Sequence, residues 1–297
     1  MKHGRILRLF ALVLAAALPA CAAAPSAFAD GAKKPAPHDE QETQVEFTVN
    51  PGDTWDEAVA AFIEHYENKS LSHSLALGYR NLVTGEEHYY QGDEYMVACS
   101  MYKVPLNMLF AEKIYNGEMD WDTEIANIPY SELMERSIVN SYNEPSEYLF
   151  RELGGYWSYR VAISEYMGVD PDTVDDRYFE NNYFTAEQEI HCLTTLYEGG
   201  ERFPGILDAM RKAEPDEYFN HHEQPYPLAH KYGILRDTTD GRKTYVNDSA
   251  IVYTDEPIAI VMFTFNVPNA KQALADYCTL MCEYTQQNLS GDSEPKK

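Results

Sequence analysis

Ser100 and Lys103 stand three residues apart in Ala98-Cys99-Ser100-Met101-Tyr102-Lys103-Val104-Pro105-Leu106. On a helix that spacing puts a hydroxyl and an amine on one face, within reach of each other. A lysine partly withdrawn from water has its charged form disfavoured, and the neutral amine can take a proton from a serine. At the first turn of a helix the serine also faces the positive end of the peptide dipole, where backbone N–H groups favour an oxyanion. The pair is a candidate nucleophile and general base. Taken alone, the motif fits equally a serine that caps a helix and a solvated lysine. The same spacing recurs in Ser293-Glu294-Pro295-Lys296, in a polar tail, so the weight comes from what surrounds Ser100.

The run from Ala98 to about Tyr115, closed by Asn116-Gly117, reads as one helix. It is apolar around most of its circumference, which predicts a helix in the middle of a domain and not on its surface.

Two further segments follow in order. Ser141-Tyr142-Asn143 is the only S-x-N in the chain, and His230-Lys231-Tyr232-Gly233 opens a strand-like run near the C-terminal end. The ordered trio S-x-x-K, S-x-N, K-[TS]-G is the signature of the penicillin-recognising serine enzymes. The chain resembles the class A β-lactamase-like branch of that family over most of residues 46 to 290. Val246 to Tyr253 and Pro257 to Phe263 are similar to the next two strands, and Thr185-Ala186-Glu187 heads a helix like the one that follows the family's active-site loop.

The resemblance implies an acyl-enzyme mechanism with named roles. Ser100 is the nucleophile and Lys103 takes its proton, directly or through water. Ser141 passes a proton to the departing nitrogen and is held by Lys231 across a cleft. Asn143 hydrogen-bonds Lys103 or the substrate amide. The backbone N–H groups of Ser100 and Ile234 form the oxyanion hole, and Gly233 lets substrate approach the strand edge. Two departures stand out. Tyr232 replaces the hydroxyl residue that helps hold a substrate carboxylate, which passes that role to Arg236 or changes it. No E-x-x-L-N occurs, and only 41 residues lie between Asn143 and Thr185. Glu180 is the candidate for directing water at the acyl-enzyme, and deacylation is the doubtful step.

Composition sets the compartment and excludes partners. A basic start at Lys2, Arg5 and Arg8, an apolar run from Leu9 to Ala20 and small residues after it read as an export signal at residues 1–29. Ala27-Phe28-Ala29 is the favoured cleavage site. The competing reading, a lipid anchor at Cys21 after Leu18-Pro19-Ala20, is the one route to a membrane. The chain carries 23 basic and 48 acidic residues, a net charge of −25, with no acidic residue before Asp30. Such a surface repels nucleic acid and anionic membrane. Cys99, Cys192, Cys278 and Cys282 remain after export, and spacing leaves open three pairings or free thiols. His221-His222-Glu223, with His191 and His230, lacks metal-ligand spacing. Neither a metal nor a cofactor is expected, and a monomer is.

In chain order, residues 30–45 read as a disordered tether. Asp53-Thr54 caps a helix with Trp55, Val59, Phe62, Ile63 and Tyr66 at helical spacing, and a hairpin follows with its turn at Thr84-Gly85. Residues 120 to 200 are helical with breaks at Asn127-Ile128-Pro129, Gly154-Gly155 and Gly168-Val169-Asp170-Pro171. Three β-rich runs from Leu228 to Val267 precede a closing helix, Asn269 to Gln287, and a polar tail at 291–297. Strands early and late with helices between predict an α/β (α+β) fold: one antiparallel sheet flanked by helices, an all-helical lobe, and an active site in the cleft between them. The 23 tyrosines are expected to edge the core. Three functions compete: β-lactam hydrolysis, D-alanyl-D-alanine peptidase action on peptidoglycan stem peptides, and non-catalytic binding in the cell envelope.

Overall fold

The computed structural model describes residues 46–221, 224–236 and 243–289. The expected leader, tether and tail, and His222 and Glu223, lie outside the described residues.

Thr54 opens α1 (Trp55–Tyr66) with a reciprocal cap: its hydroxyl accepts from the Glu57 N–H, and the Glu57 carboxylate accepts from the Thr54 N–H. β1 (Leu75–Asn81) and β2 (Glu87–Tyr90) form the predicted hairpin. β3 (Met96–Val97) leads into one 3-10 turn, Cys99–Tyr102, and then α2 (Lys103–Tyr115). A two-residue pair, β4 (Glu124–Ile125) and β5 (Ile128–Pro129), fills the first expected break. α3 (Tyr130–Ile138), α4 (Asn143–Glu152), α5 (Tyr156–Ala162), β6 (Tyr183–Phe184), α6 (Ala186–Gly199) and α7 (Ile206–Met210) follow. β7 (Leu228–Arg236), β8 (Thr244–Val252), β9 (Ile258–Thr264) and α8 (Ala270–Gln287) close the chain.

The sheet runs β2-β1-β9-β8-β7, antiparallel throughout. Its two ends of chain meet at β1 and β9, where Leu75 lies opposite Thr264 and Asn81 opposite Ile258. β9 reads Ile-Ala-Ile-Val-Met-Phe-Thr because it is central and buried on both faces. Successive residues point to opposite faces, and they divide between two cores. Leu77, Tyr79, Ile260 and Met262 pack with Trp55, Phe62 and the apolar side of α8, whereas Ala76, Val261 and Phe263 pack with α2, α6 and the helical lobe. Several tyrosines lie inside the cores and not at their edges as expected, among them Tyr79, Tyr130, Tyr159, Tyr166 and Tyr277.

α2 has Val104, Pro105, Leu106, Asn107, Met108, Phe110 and Ala111 buried, as its all-round apolar sequence predicts. Pro105 costs no hydrogen bond, because N–H groups of the first turn have no partner within the helix. The expected single helix starts later than Ala98, since Cys99 at φ +54 forces a tighter turn ahead of it. A buried polar row sets how α2 meets its neighbours. Asn107 Nδ2 donates to Lys103 O at 2.8 Å and to Ser137 Oγ at 3.0 Å, and Ser137 Oγ bonds Ser146 Oγ at 3.0 Å. This row fixes α3 and α4, and so the turn between them that holds Ser141.

At the sheet's edge, β7 rests against the 3-10 turn. A Cβ on Gly233 would lie 2.6 Å from Cys99 Cβ, 2.7 Å from Ser100 N and 2.9 Å from Ala98 O. The space left by the missing side chain is therefore filled by the turn, so the absent Cβ lets β7 pack against the residues around Ser100. Beneath, His230 Nδ1 meets Asp248 Oδ2 at 2.7 Å and Nε2 meets Ala213 O at 2.6 Å. Two acceptors on one imidazole call for the doubly protonated ring. Burial alone would lower the His230 pKa, but the Asp248 carboxylate and the Ala213 carbonyl outweigh it and raise the value.

Two consequences are measurable. Gly233→Ala is expected to cost about 1–3 kcal/mol in urea unfolding, because two of the three atoms in the way are backbone; a change below about 0.5 kcal/mol would contradict the fit. Asp248→Ala strands a buried cation and is expected to cost about 3–5 kcal/mol. The pair's contribution is present below about pH 6.5, histidine's ordinary pKa, and is lost as pH rises through the raised folded value. A wild-type pH–stability curve that matches the variant's slope across that window would contradict the assignment.

Candidate active site

The 3-10 turn that presents Ser100 is held from both sides. The Ala98 N–H donates to Asn182 O at 2.8 Å, and Asn182 Nδ2 donates to Cys99 O. From β8, Asn247 Nδ2 donates to Val97 O at 2.7 Å while its Oδ1 accepts from the Thr264 N–H at 2.8 Å. Cys99, immediately before Ser100, takes a left-handed backbone conformation rare for a residue with a side chain. Its thiol is buried, and burial pushes its pKa up to about 12, so it is inert beside a partly exposed Ser100.

Two buried lysines converge on Ser141. Lys103 Nζ donates to Ser141 O at 2.6 Å and to Asn143 Oδ1 at 2.9 Å. Lys231 Nζ donates to Ser141 Oγ at 2.9 Å and to Tyr232 O at 2.9 Å. Ser141 reaches both because its backbone is left-handed, φ +59, turning carbonyl and side chain toward opposite partners. Both ammonium groups are fully buried. Burial lowers the Lys103 pKa to about 8. Burial first, and then the charge of Lys103, lower that of Lys231 to about 7, against the pull of Asp248 and Glu214. The two titrate as a pair, which begins to lose a proton near neutral pH. Lys103, Ser141, Asn143 and Lys231 are thus brought together from three distant segments, with Ser100 on the turn just before Lys103 and its backbone N beside Gly233.

The rest of the β7 motif is arranged differently from expectation. Tyr232 is 9% exposed, its ring stacked on Tyr218 at 4.3 Å and its hydroxyl 3.4 Å from Glu214 Oε1. It is a packed wall and not an open substrate contact. Ile234 is 38% exposed and follows Gly233, whose backbone abuts Ser100 N, so its peptide group and that of Ser100 are neighbours. Arg236 is exposed at the strand's end. Glu180 is exposed and ends the short 3-10 turn Asp176–Phe179. It is Asn182, two residues on, that reaches the Ser100 turn.

No sequence motif marks Asn182, Asn247 or Glu214. Asn247 left one signal, since Asn247-Asp248-Ser249 is a polar triplet inside an apolar strand. Ser249 Oγ donates to Glu189 Oε1 at 2.8 Å, and burial pushes the Glu189 pKa up to about 7. His191 Nδ1 meets Tyr166 O at 2.9 Å. Among the described residues no group of three or more His, Cys, Asp or Glu is placed to hold a metal. Cys99, Cys192, Cys278 and Cys282 are buried free thiols.

Comparison with known proteins gives the assembly its relatives. The model of the beta-lactamase enzyme family matches residues 56–276. Among curated proteins, none matches. Among solved structures, a variant of the TLA-1 extended-spectrum β-lactamase superposes with a TM-score of 0.65 at 15% identity, covering 76% of this chain and 96% of that one. An ancestral class A β-lactamase gives 0.62 at 18% identity, covering 77% and 99%. A β-lactamase from Chitinophaga pinensis gives 0.62 at 18% identity, covering 77% and 97%. At such identities the superpositions speak for the fold, an antiparallel sheet with helices in the class A β-lactamase arrangement. With the family model spanning most of the chain, this protein belongs to the beta-lactamase enzyme family.

Proposed function

We propose that the protein is an exported serine hydrolase that β-lactams acylate at Ser100. The observation that carries this reading is the pair of buried lysines on either side of Ser141, one on its carbonyl and one on its hydroxyl. Burying two ammonium groups is costly. Lowered lysine pKa values are what a proton-transfer site at neutral pH requires.

In this mechanism Lys103, as the neutral amine, accepts the Ser100 proton while Oγ attacks the lactam carbonyl carbon. Negative charge develops on the carbonyl oxygen, and the N–H groups of Ser100 and Ile234 stabilise it. The lactam C–N bond then breaks, and the nitrogen takes a proton from Ser141 Oγ, replaced from Lys231. Water completes the turnover by hydrolysing the Ser100 ester. Asn143 orients Lys103.

A second reading, a peptidase that cleaves D-alanyl-D-alanine stem peptides, draws support from Asn182. An amide, not a carboxylate, meets the Ser100 turn from the loop segment, and an amide is a poor base for activating the deacylating water.

Fluorescent penicillin is expected to label the protein covalently, and Ser100→Ala to abolish the label; labelling that survives this change would refute the assignment. Ser141→Ala is expected to slow acylation by roughly 10²–10⁴-fold. Acylation is expected to speed up as pH rises through about 7 to about 8, where the lysine pair loses a proton; a rate independent of pH there would count against Lys103 as base. Intact mass followed over time separates the two readings. A persistent adduct after a single burst favours the peptidase, and an adduct that disappears with steady lactam loss favours the lactamase.

A further inference from the structure

The corner of the site beside Lys231 carries a negative charge. Glu214 is exposed, and its Oε1 lies 3.4 Å from the Tyr232 hydroxyl. Through Lys231, which lies over the Tyr232 ring and donates to Ser141 Oγ at 2.9 Å, this corner adjoins the residue assigned to protonate the departing nitrogen. Lys231 does not offset this charge toward substrate. It is fully buried, its Nζ bonded to Ser141 Oγ and Tyr232 O and lying 4.0 Å from the centre of the Tyr232 ring.

The corner is built and not incidental. Tyr218 stacks on Tyr232 with an angle of 8° between rings, and Lys271, ion-paired with Glu217, lies 5.2 Å above the Tyr218 ring. Glu214 and Tyr218 both hold left-handed backbone conformations, φ +34 and +62, which cost energy in residues other than glycine and persist only where the surroundings impose them. The Tyr232 pKa is pushed up to about 12 by burial and then by Glu214. The phenol therefore stays a neutral hydrogen-bond donor beside that carboxylate.

We propose that Glu214 selects acyl donors whose leaving-group side is neutral or cationic, and disfavours a carboxylate next to the scissile nitrogen. This rests on the assignment of Ser100 as the acylated residue. The chemical class it points to is a neutral amide or ester, which the Glu214 carboxylate does not repel, or an amine-bearing leaving group, which can pair with it.

Benzylpenicillin and its methyl ester test this directly, since they offer Ser100 the same lactam and differ by one negative charge beside the lactam nitrogen. Acylation is followed by intact mass, with a fluorophosphonate label on Ser100 counting competent sites in each sample. The ester is expected to acylate the wild type about tenfold faster than the acid, as like charges in a partly desolvated corner repel. Glu214→Gln is expected to bring that ratio close to one by speeding the acid, and Glu214→Asp, which keeps the charge, to retain the preference. An acid that reacts as fast as the ester in the wild type, or a ratio unmoved by Glu214→Gln, overturns the proposal. If the fluorophosphonate labels Ser100 but neither lactam reacts, the selectivity falls and the nucleophile stands. If Ser100→Ala keeps the fluorophosphonate label, the acylation reading falls and takes this inference with it.

Discussion

Two ammonium groups share one serine out of contact with water, and the rest of the fold is arranged around that cost. Each buried cation carries a desolvation penalty of several kcal/mol, and their mutual repulsion adds to it. What offsets it is local. Ser141 in a left-handed turn gives a carbonyl to Lys103 and a hydroxyl to Lys231, Asn143 gives a second acceptor to Lys103, and Asp248, itself paired with His230, adds negative charge near Lys231. The remaining imbalance is relieved by losing a proton, which leaves a neutral amine able to accept one.

Holding such a turn in place takes rigid support, and the support comes from buried groups outside the lysine–serine cluster. The Asn107–Ser137–Ser146 row ties α2, α3 and α4 together below Ser141. Asn182 and Asn247 grip the Ser100 turn from the loop side and the sheet side. Gly233 lets β7 come against that turn without a side chain between. Positioning within a fraction of an ångström matters more for acyl transfer than any single added contact. The asparagines and the glycine are therefore as much a part of the site's geometry as the lysines.

Much of this was legible in the sequence. The three β-rich runs expected from Leu228 to Val267 are β7, β8 and β9, the all-round apolar α2 announced its interior place, and Thr54 and Thr185 announced two helix starts that the caps bear out. The ordered trio named Ser100, Lys103, Ser141, Asn143 and Lys231; hydrogen bonds join the last four, and Ser100 lies on the turn that leads into Lys103. What stayed hidden depends on contacts across long stretches of chain. Nothing local in Asn182 points to a backbone carbonyl more than eighty residues earlier in the chain. A two-residue strand such as β3 or β6 has no period to read. The packing of Tyr232 on Tyr218, and so the placement of Glu214, follows from strained backbone that composition does not encode.

The central claim is that burial makes Lys103 and Lys231 weak bases around Ser141. The most direct measurement is a carbon-13 NMR titration of lysine Cε resonances, with Lys103→Arg and Lys231→Arg identifying the two signals. The account predicts that these two titrate between about 7 and about 8, while exposed lysines titrate near about 10.4. If all lysines titrate together at the ordinary value, no neutral amine is available to Ser100 near neutral pH, and the account fails.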